Sequence, residues 1–253
     1  LFSMVQFVAF FGPLIGIILG FDVINRERAQ GTLVKLLSQP IYRDAVINGK
    51  FLAGATTITI MLVSILLVIS GFGLILLGVI PGMEEIWRLI VFVVLSIFYI
   101  SFWLGISILF SIIFRGIATS ALASFALWIF LSFLVSLGAS VLADTWAPVE
   151  RKEGAAAETI LKNARIKEMV SLFSPMTLYS NASATIIDPM RKTTRSFISM
   201  GRMEEISSSR FQNPLSLGQS LLVVYPHAVA LVAVSLICFA ISYTIFMVQE
   251  IRT

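Results

Sequence analysis

The side chains able to do covalent or metal chemistry are few: one histidine, His227, one cysteine, Cys238, and carboxylates with neither of these at ligand spacing. A metal centre needs several nitrogen, sulfur or carboxylate ligands converging on one point, and His227 has no companion at ligand spacing. It follows Pro226 at the edge of an apolar run, the setting of an interfacial or packing histidine. Asp188, His227 and a serine could form a hydrolase set, but the Gly-x-Ser-x-Gly turn that exposes such a serine is absent. The Gly-x-x-x-x-Gly-Lys-Ser/Thr loop that cradles nucleotide phosphates is absent too, so this polypeptide is not expected to be an enzyme or to hydrolyse ATP itself. Cys238 is the lone thiol, buried in an apolar run, and no disulfide can form within the chain.

The elements that carry these residues belong to a membrane. Charged residues are 13% of the 253 and hydrophobic residues 58%, against roughly a quarter and a half in soluble domains. Uncharged apolar runs cover about 5–21, 51–80, 89–114, 117–142 and 225–248. Crossing a hydrocarbon core about 30 Å thick takes about 20 such residues, so five spans are expected. Continuous rather than alternating apolarity selects helices over a barrel, which makes the chain an all-α integral membrane protein. The spans hold essentially no ionisable groups, which argues against ion-coupled transport. They do hold small hydroxyl residues, Thr56, Thr57, Thr59, Ser64, Ser101, Ser107, Ser111, Thr119, Ser120 and Ser124, suited to close helix packing or to lining a path. Trp87 and Trp146 fall near span boundaries as interfacial anchors, whereas Trp103 and Trp128 fall within spans and pack.

The net charge of +4 is a matter of topology rather than of nucleic-acid binding. Alternate loops place Arg26, Arg28, Lys35, Arg43, Lys50, Arg115 and Arg252 on one side, while the opposite short loop, opened by the polar turn Pro81–Glu85, offers only Arg88 beside two glutamates. The positive-inside rule puts the basic set in the cytoplasm and the long 144–216 segment outside. Leu1 is then outside as well, so the intact chain is expected to have a sixth span upstream of this sequence.

Between the first two spans, residues 22–50 form a cytoplasmic loop with its own punctuation. Gly31 can turn the chain, Thr32 can cap a short helix, Leu33, Leu36 and Leu37 share a face, and Pro40 disfavours further helix. Asp44 is placed to cap the helix rising into the second span. Two readings of the short amphipathic helix are open: it presses on a soluble partner, or it lies on lipid.

The pattern Phe21-Asp22, Asn25-x-Glu27-Arg28, Gly31-Thr32-Leu33, Leu36-Leu37-Ser38-Gln39-Pro40, Arg43 and Gly49-Lys50-Phe51 resembles the first cytoplasmic loop of ABC-2 type permeases, in particular the NosY-like subgroup. Leu172-Phe173-Ser174-Pro175, Leu178-Tyr179, Asp188-Pro189 and 213–220 are similar to the stretch before that family's last span. The resemblance implies a type V exporter-like fold with six spans per protomer, pairing with a second copy or a related permease, and a multi-pass place in the plasma membrane. It implies an ABC ATPase partner that holds ATP and Mg, while this chain binds no cofactor. It also implies that Glu27, Arg28, Thr32, Leu33, Lys35, Leu36, Leu37 and Arg43 contact that partner through a coupling helix. Relatives of this kind export varied substances or serve copper-enzyme maturation, so the cargo stays unnamed.

The 144–216 segment is expected to hold a helix over about 155–173, with Ile166, Met169, Val170 and Phe173 on one stripe, ended by Ser174-Pro175. Such a helix could rest on the outer leaflet, cap an exit or meet an external protein. The last possibility gives the alternative function, a mechanotransmitter that uses the same ATPase to act on an extracytoplasmic partner without moving cargo. Asn181-Ala182-Ser183 matches a glycosylation acceptor, a tripeptide common by chance.

Overall fold

The structure is a computed structural model that describes residues 2–32, 38, 42–78, 81–146, 162–163, 165–167, 169–170, 173–188 and 215–248. Among these residues the regular structure is all helical: α1 Phe2–Gly20, α2 Asn25–Ala29, α3 Arg43–Leu77, α4 Met83–Ile113, α5 Ile117–Ile129, a π-helical turn Phe130–Leu134, α6 Val135–Trp146, α7 Pro175–Ile187 and α8 Leu217–Val248. Five helical stretches, the fourth running from α5 through the π turn to α6, are long and apolar enough to cross a membrane. The five expected spans are therefore present.

The centre of the bundle is α4. Phe92, Tyr99, Ile100, Trp103, Leu104, Ile108 and Ile112 are buried along it, and α1, α3, α5, α7 and α8 all pack on it. Hydrocarbon gives two apolar helices no reason to leave lipid for each other, so their contact depends on close van der Waals fit. On α1 that fit comes from Gly12, Gly16 and Gly20, spaced four residues apart on one face. A Cβ on Gly16 would sit 2.7 Å from the Ile100 carbonyl oxygen, and one on Gly20 2.8 Å from the Ser107 Cβ. Hydroxyls then pin the backbones at this distance. Tyr99 Oη donates to the Ala9 carbonyl at 2.8 Å and Ser107 Oγ to the Ile17 carbonyl at 2.9 Å. On the other flank Ser235 Oγ reaches the Phe98 carbonyl and Ser242 Oγ the Gly105 carbonyl, both at 3.1 Å, joining α8 to α4. Such bonds average only about 0.6 kcal/mol within membranes, so the glycine fit dominates and the hydroxyls fix its register.

The α3 helix behaves differently. Its 35 residues rise roughly 52 Å at about 1.5 Å each, well over a hydrocarbon thickness of about 30 Å. Helix continues through Gly71 and Gly73 and stops at Gly78, whose φ of 63° suits only glycine comfortably. Only its first half touches the bundle well, through Val46, Ile47, Ile58 and Leu62, while Leu52, Ile60, Leu67, Val68, Phe72, Ile75 and Leu76 are exposed. The hydroxyls of Thr56, Thr57, Thr59 and Ser64 each donate to the carbonyl four residues back, so they cross an apolar surface already satisfied.

Three local expectations change. Asp44 does not cap α3: Tyr42 occupies the N-cap position, and Asp44 lies in the first turn, where its charge complements the helix dipole. The Pro81–Glu85 turn gives way to helix at Met83, with Glu85 Oε2 accepting from the Gly82 amide at 2.9 Å. Ser174-Pro175 begins a helix: Ser174 Oγ accepts from the Thr177 amide and Pro175 fills the first helical position, where it lacks only an amide that would be unpaired anyway, while most of the helix expected over 155–173 lies outside the described residues. The helix so started, α7, packs among α1, α4, α8 and the π turn. Tyr179 stacks on Tyr99 with ring centroids 4.3 Å apart and planes 8° from parallel, and its hydroxyl meets Ser96 Oγ at 2.7 Å. Trp103 and Trp128 are buried, while Trp87 and Trp146 are exposed.

Gly16→Val should push α1 away from the Ile100 backbone and cost about 1–3 kcal/mol. Gly12→Ala should cost less, because its Cβ would meet the movable Ile100 side chain at 2.9 Å rather than backbone. Thermal unfolding of both variants in detergent checks the order.

Candidate functional site at the α2 end

After Gly20 the chain leaves α1 through a turn at Phe21–Ile24 and enters the five-residue α2. Such a short helix cannot hold itself, so tertiary bonds must fix it. Ser111 Oγ, near the end of α4, accepts from the Ile24 amide at 3.0 Å and the Asn25 amide at 3.1 Å. Asn25, 1% exposed, donates its side-chain amide to the Gly116 carbonyl in the α4–α5 turn at 3.3 Å. From the other side Lys50, two turns into α3, places its ammonium 2.6 Å from Glu27 Oε1 and 3.2 Å from the Val23 carbonyl. The α1 end, α2, α3 and the α4–α5 turn therefore meet in one knot. Both partners of the Lys50–Glu27 pair are largely shielded, which separates it from an exposed pair such as Asp22–Arg26, 3.7 Å apart with Arg26 68% exposed.

Of the residues singled out in the sequence, Glu27 is turned toward Lys50. Arg28 is half-buried, and burial, followed by the like charge of Arg115, holds its guanidinium below the ordinary arginine pKa. Thr32 is exposed, and its hydroxyl donates to the Glu27 carbonyl at 3.2 Å, closing the end of α2. Arg43 is the first residue of α3 and is engaged by a partner. Leu33, Lys35, Leu36 and Leu37 lie outside the described residues. Gly31 takes φ 67°, the left-handed turn expected of it. Sequence reasoning missed Ser111, Asn25 and Gly116 as a latch. Ser111 stood among many serines, and its two partners lie more than 80 residues away.

The opposite end of α4 has a polar knot of its own. Arg88 is 5% exposed and donates to the Ile186 carbonyl at 2.8 Å, Ser220 Oγ at 3.2 Å, Glu84 Oε1 at 2.8 Å and the Leu215 carbonyl at 2.6 Å. One planar guanidinium thus ties the start of α4 to the end of α7 and the start of α8. The same Glu84 oxygen also accepts from the Leu217 amide at 3.0 Å. In the sequence Arg88 was only a loop charge; its helical position after Glu84 was the available clue.

Ser111→Ala should leave two buried amides without an acceptor and cost about 1–3 kcal/mol. Ser64→Ala, whose exposed hydroxyl bonds only within α3, should stay within about 0.5 kcal/mol. Paired melting curves in the same detergent test this contrast.

No curated protein matches this chain. The profile of the family described as ABC-2 family transporter protein matches residues 2–251, nearly the whole length. Members form the membrane component of ABC transporters, are not themselves the catalytic part, and normally work with an ATPase subunit. With its five membrane-crossing helices gathered on α4, the chain belongs to the ABC-2 transporter family as a multi-pass membrane permease.

Proposed function

We propose that this permease belongs to an ATP-driven exporter in which a separate ABC ATPase subunit, holding ATP and Mg, grips residues 32–38 and moves the spans through the α2 knot. The observation that carries this reading is the convergence of four elements on α2. A push delivered beyond Gly31 reaches α2 first. It passes through Lys50 into α3 and through Ser111 and Gly116 into α4 and α5. Rigid helices joined by charge-assisted and buried hydrogen bonds transmit such a displacement as rigid-body motion between inward- and outward-open arrangements. In this reading Leu33, Lys35, Leu36, Leu37 and Arg43 face the ATPase together with Thr32, while Glu27 and Arg28 act mainly as the base of the lever.

The same reading puts the α2 end in the cytoplasm, the Arg88 end outside, the protein in the plasma membrane, and the chain within the NosY-like subgroup. A second copy or a related permease pairs with it. The packing of α7 on α1, α4 and α8 supports a role for the 144–216 segment within the moving bundle, at the exit of the path, over a free arm that acts on an external protein.

Replacing Leu36 and Leu37 together by Glu should abolish co-purification of the ATPase while leaving the melting temperature unchanged; retained association would overturn the coupling role. Thr32→Cys should react with an impermeant maleimide in inverted vesicles and stay unlabelled in intact cells. Labelling from outside would reverse the topology, and buried Cys238 gives little background.

A further inference from the structure

The Glu84–Arg88 pair sits between two helix ends of opposite polarity. The last carbonyls of a helix lack partners within it and form the negative end of its dipole, while the first amides form the positive end. Arg88 Nη1 donates at 2.8 Å to the carbonyl of Ile186, in the last turn of α7, and at 3.2 Å to Ser220 Oγ. Its Nη2 donates at 2.6 Å to the Leu215 carbonyl, just before α8, and at 2.8 Å to Glu84 Oε1. That same carboxylate oxygen accepts at 3.0 Å from the amide of Leu217, the first residue of α8. The cation of the pair thus caps the negative end of α7, and the anion caps the positive end of α8.

The two partners differ in their access to water: the Arg88 side chain is 6% exposed and that of Glu84 57%. Water competes for the carboxylate while the guanidinium stays enclosed. Losing the carboxylate leaves a buried charge among neutral acceptors, a costly state that is relieved once α7 withdraws and water reaches Arg88. The α7 helix is suited to such a withdrawal. Its 13 residues are too few for a helix to persist alone, and Asn181, Ser183 and Thr185 are readily solvated. Beyond the clasp, neutral groups tie it to α4, with Tyr179 meeting Ser96 Oγ and stacking on Tyr99.

We propose that the Glu84–Arg88 pair is a releasable clasp. Closed, as in this structure, it docks α7 on α4; open, it lets α7 leave while α1, α4 and α8 stay packed. Release uncovers Ser96 and Tyr99 and gives the bundle a second arrangement at the end of α4 opposite α2. The clasp is independent of whether an ATPase drives the spans.

Hydrogen exchange read by mass spectrometry on the purified full chain in detergent tests it. In the wild type, amides of 175–187 should exchange about tenfold or more faster than those of 102–110 in α4, because α7 opens without the bundle. Equal rates would overturn the proposal. Glu84→Gln keeps an oxygen for the Leu217 amide and removes the charge, so it should speed exchange in 175–187 roughly tenfold while 5–20 and 102–110 keep their wild-type rates. Arg88→Gln should act more strongly, and Arg88→Lys, with one nitrogen in place of a fork, should fall between Arg88→Gln and wild type. Glu85→Gln, whose carboxylate accepts from the Gly82 amide at the start of α4, should leave α7 unchanged. Unaltered α7 exchange in Glu84→Gln, or equal acceleration across the helices, would sink the clasp. If Arg88→Gln fails to fold, Glu84→Gln, altered at a largely exposed side chain, still decides the matter.

Discussion

The backbone contact between α1 and α4 is the constraint from which the other positions follow. Lipid is as good a solvent for leucine as another helix is, so spans associate only where shape lets many atoms touch. Gly12, Gly16 and Gly20 remove the side chains that would hold α1 off Ile100, Leu104 and Ser107. With α1 seated, the Ala9 and Ile17 carbonyls come within reach of Tyr99 and Ser107. Tyr99 in turn offers its ring to Tyr179, and α7 gains a floor to pack on. The same seating fixes where α1 ends, so the turn after Gly20 falls opposite Ser111.

Polar interactions are sorted by depth along α4. In the middle, single hydroxyls bond to carbonyls of neighbouring helices or to their own helix, the cheapest way to satisfy a polar group in hydrocarbon. At the two ends, charged groups make several bonds each: Arg88 at one, the Lys50–Glu27 pair and its surroundings at the other. The bundle is thus stitched lightly at its centre and firmly at its rims. The α2 knot is the rim that lies beside Gly31, where the backbone takes a left-handed turn.

Much of this was legible in the residues, for reasons that differ by element. The spans declared themselves because desolvating a charge is so costly that uncharged runs can mean little else. Gly31 was readable as a turn because few other residues accept its backbone angles. The α7 helix was not, since Pro175–Ile187 mixes Tyr179, Asn181, Ser183 and Thr185 with apolar residues in proportions typical of a loop. Its burial depends on partners supplied by α1, α4 and α8. Arg88 misled for a related reason: a lone arginine beside glutamates is ordinarily a solvated charge, and only the return of residues 186, 215 and 220 to its side encloses it. Lys50 and Glu27 were both part of the recognisable loop pattern, but nothing in the order of residues joins them across 23 positions. The glycine spacing on α1 was visible, although a row of glycines does not by itself say which helix it faces.

The π-helical turn at Phe130–Leu134 has a consequence for the whole fourth crossing. Buried side chains recur there at Ser120, Ser124, Trp128 and Ser132, a strict four-residue interval. On a regular helix each interval of four overshoots a full circle by about 40°, so by Ser132 the buried seam has swung roughly 120° around the axis. One surplus residue in a wide turn takes back about 100°. Ala139 and Ala143 consequently return to the protein side, where both are buried. The irregular turn works as a phase correction, and the number of residues between Ser120 and Ala143, more than the chemistry of any one of them, keeps a single seam facing inward across the bilayer.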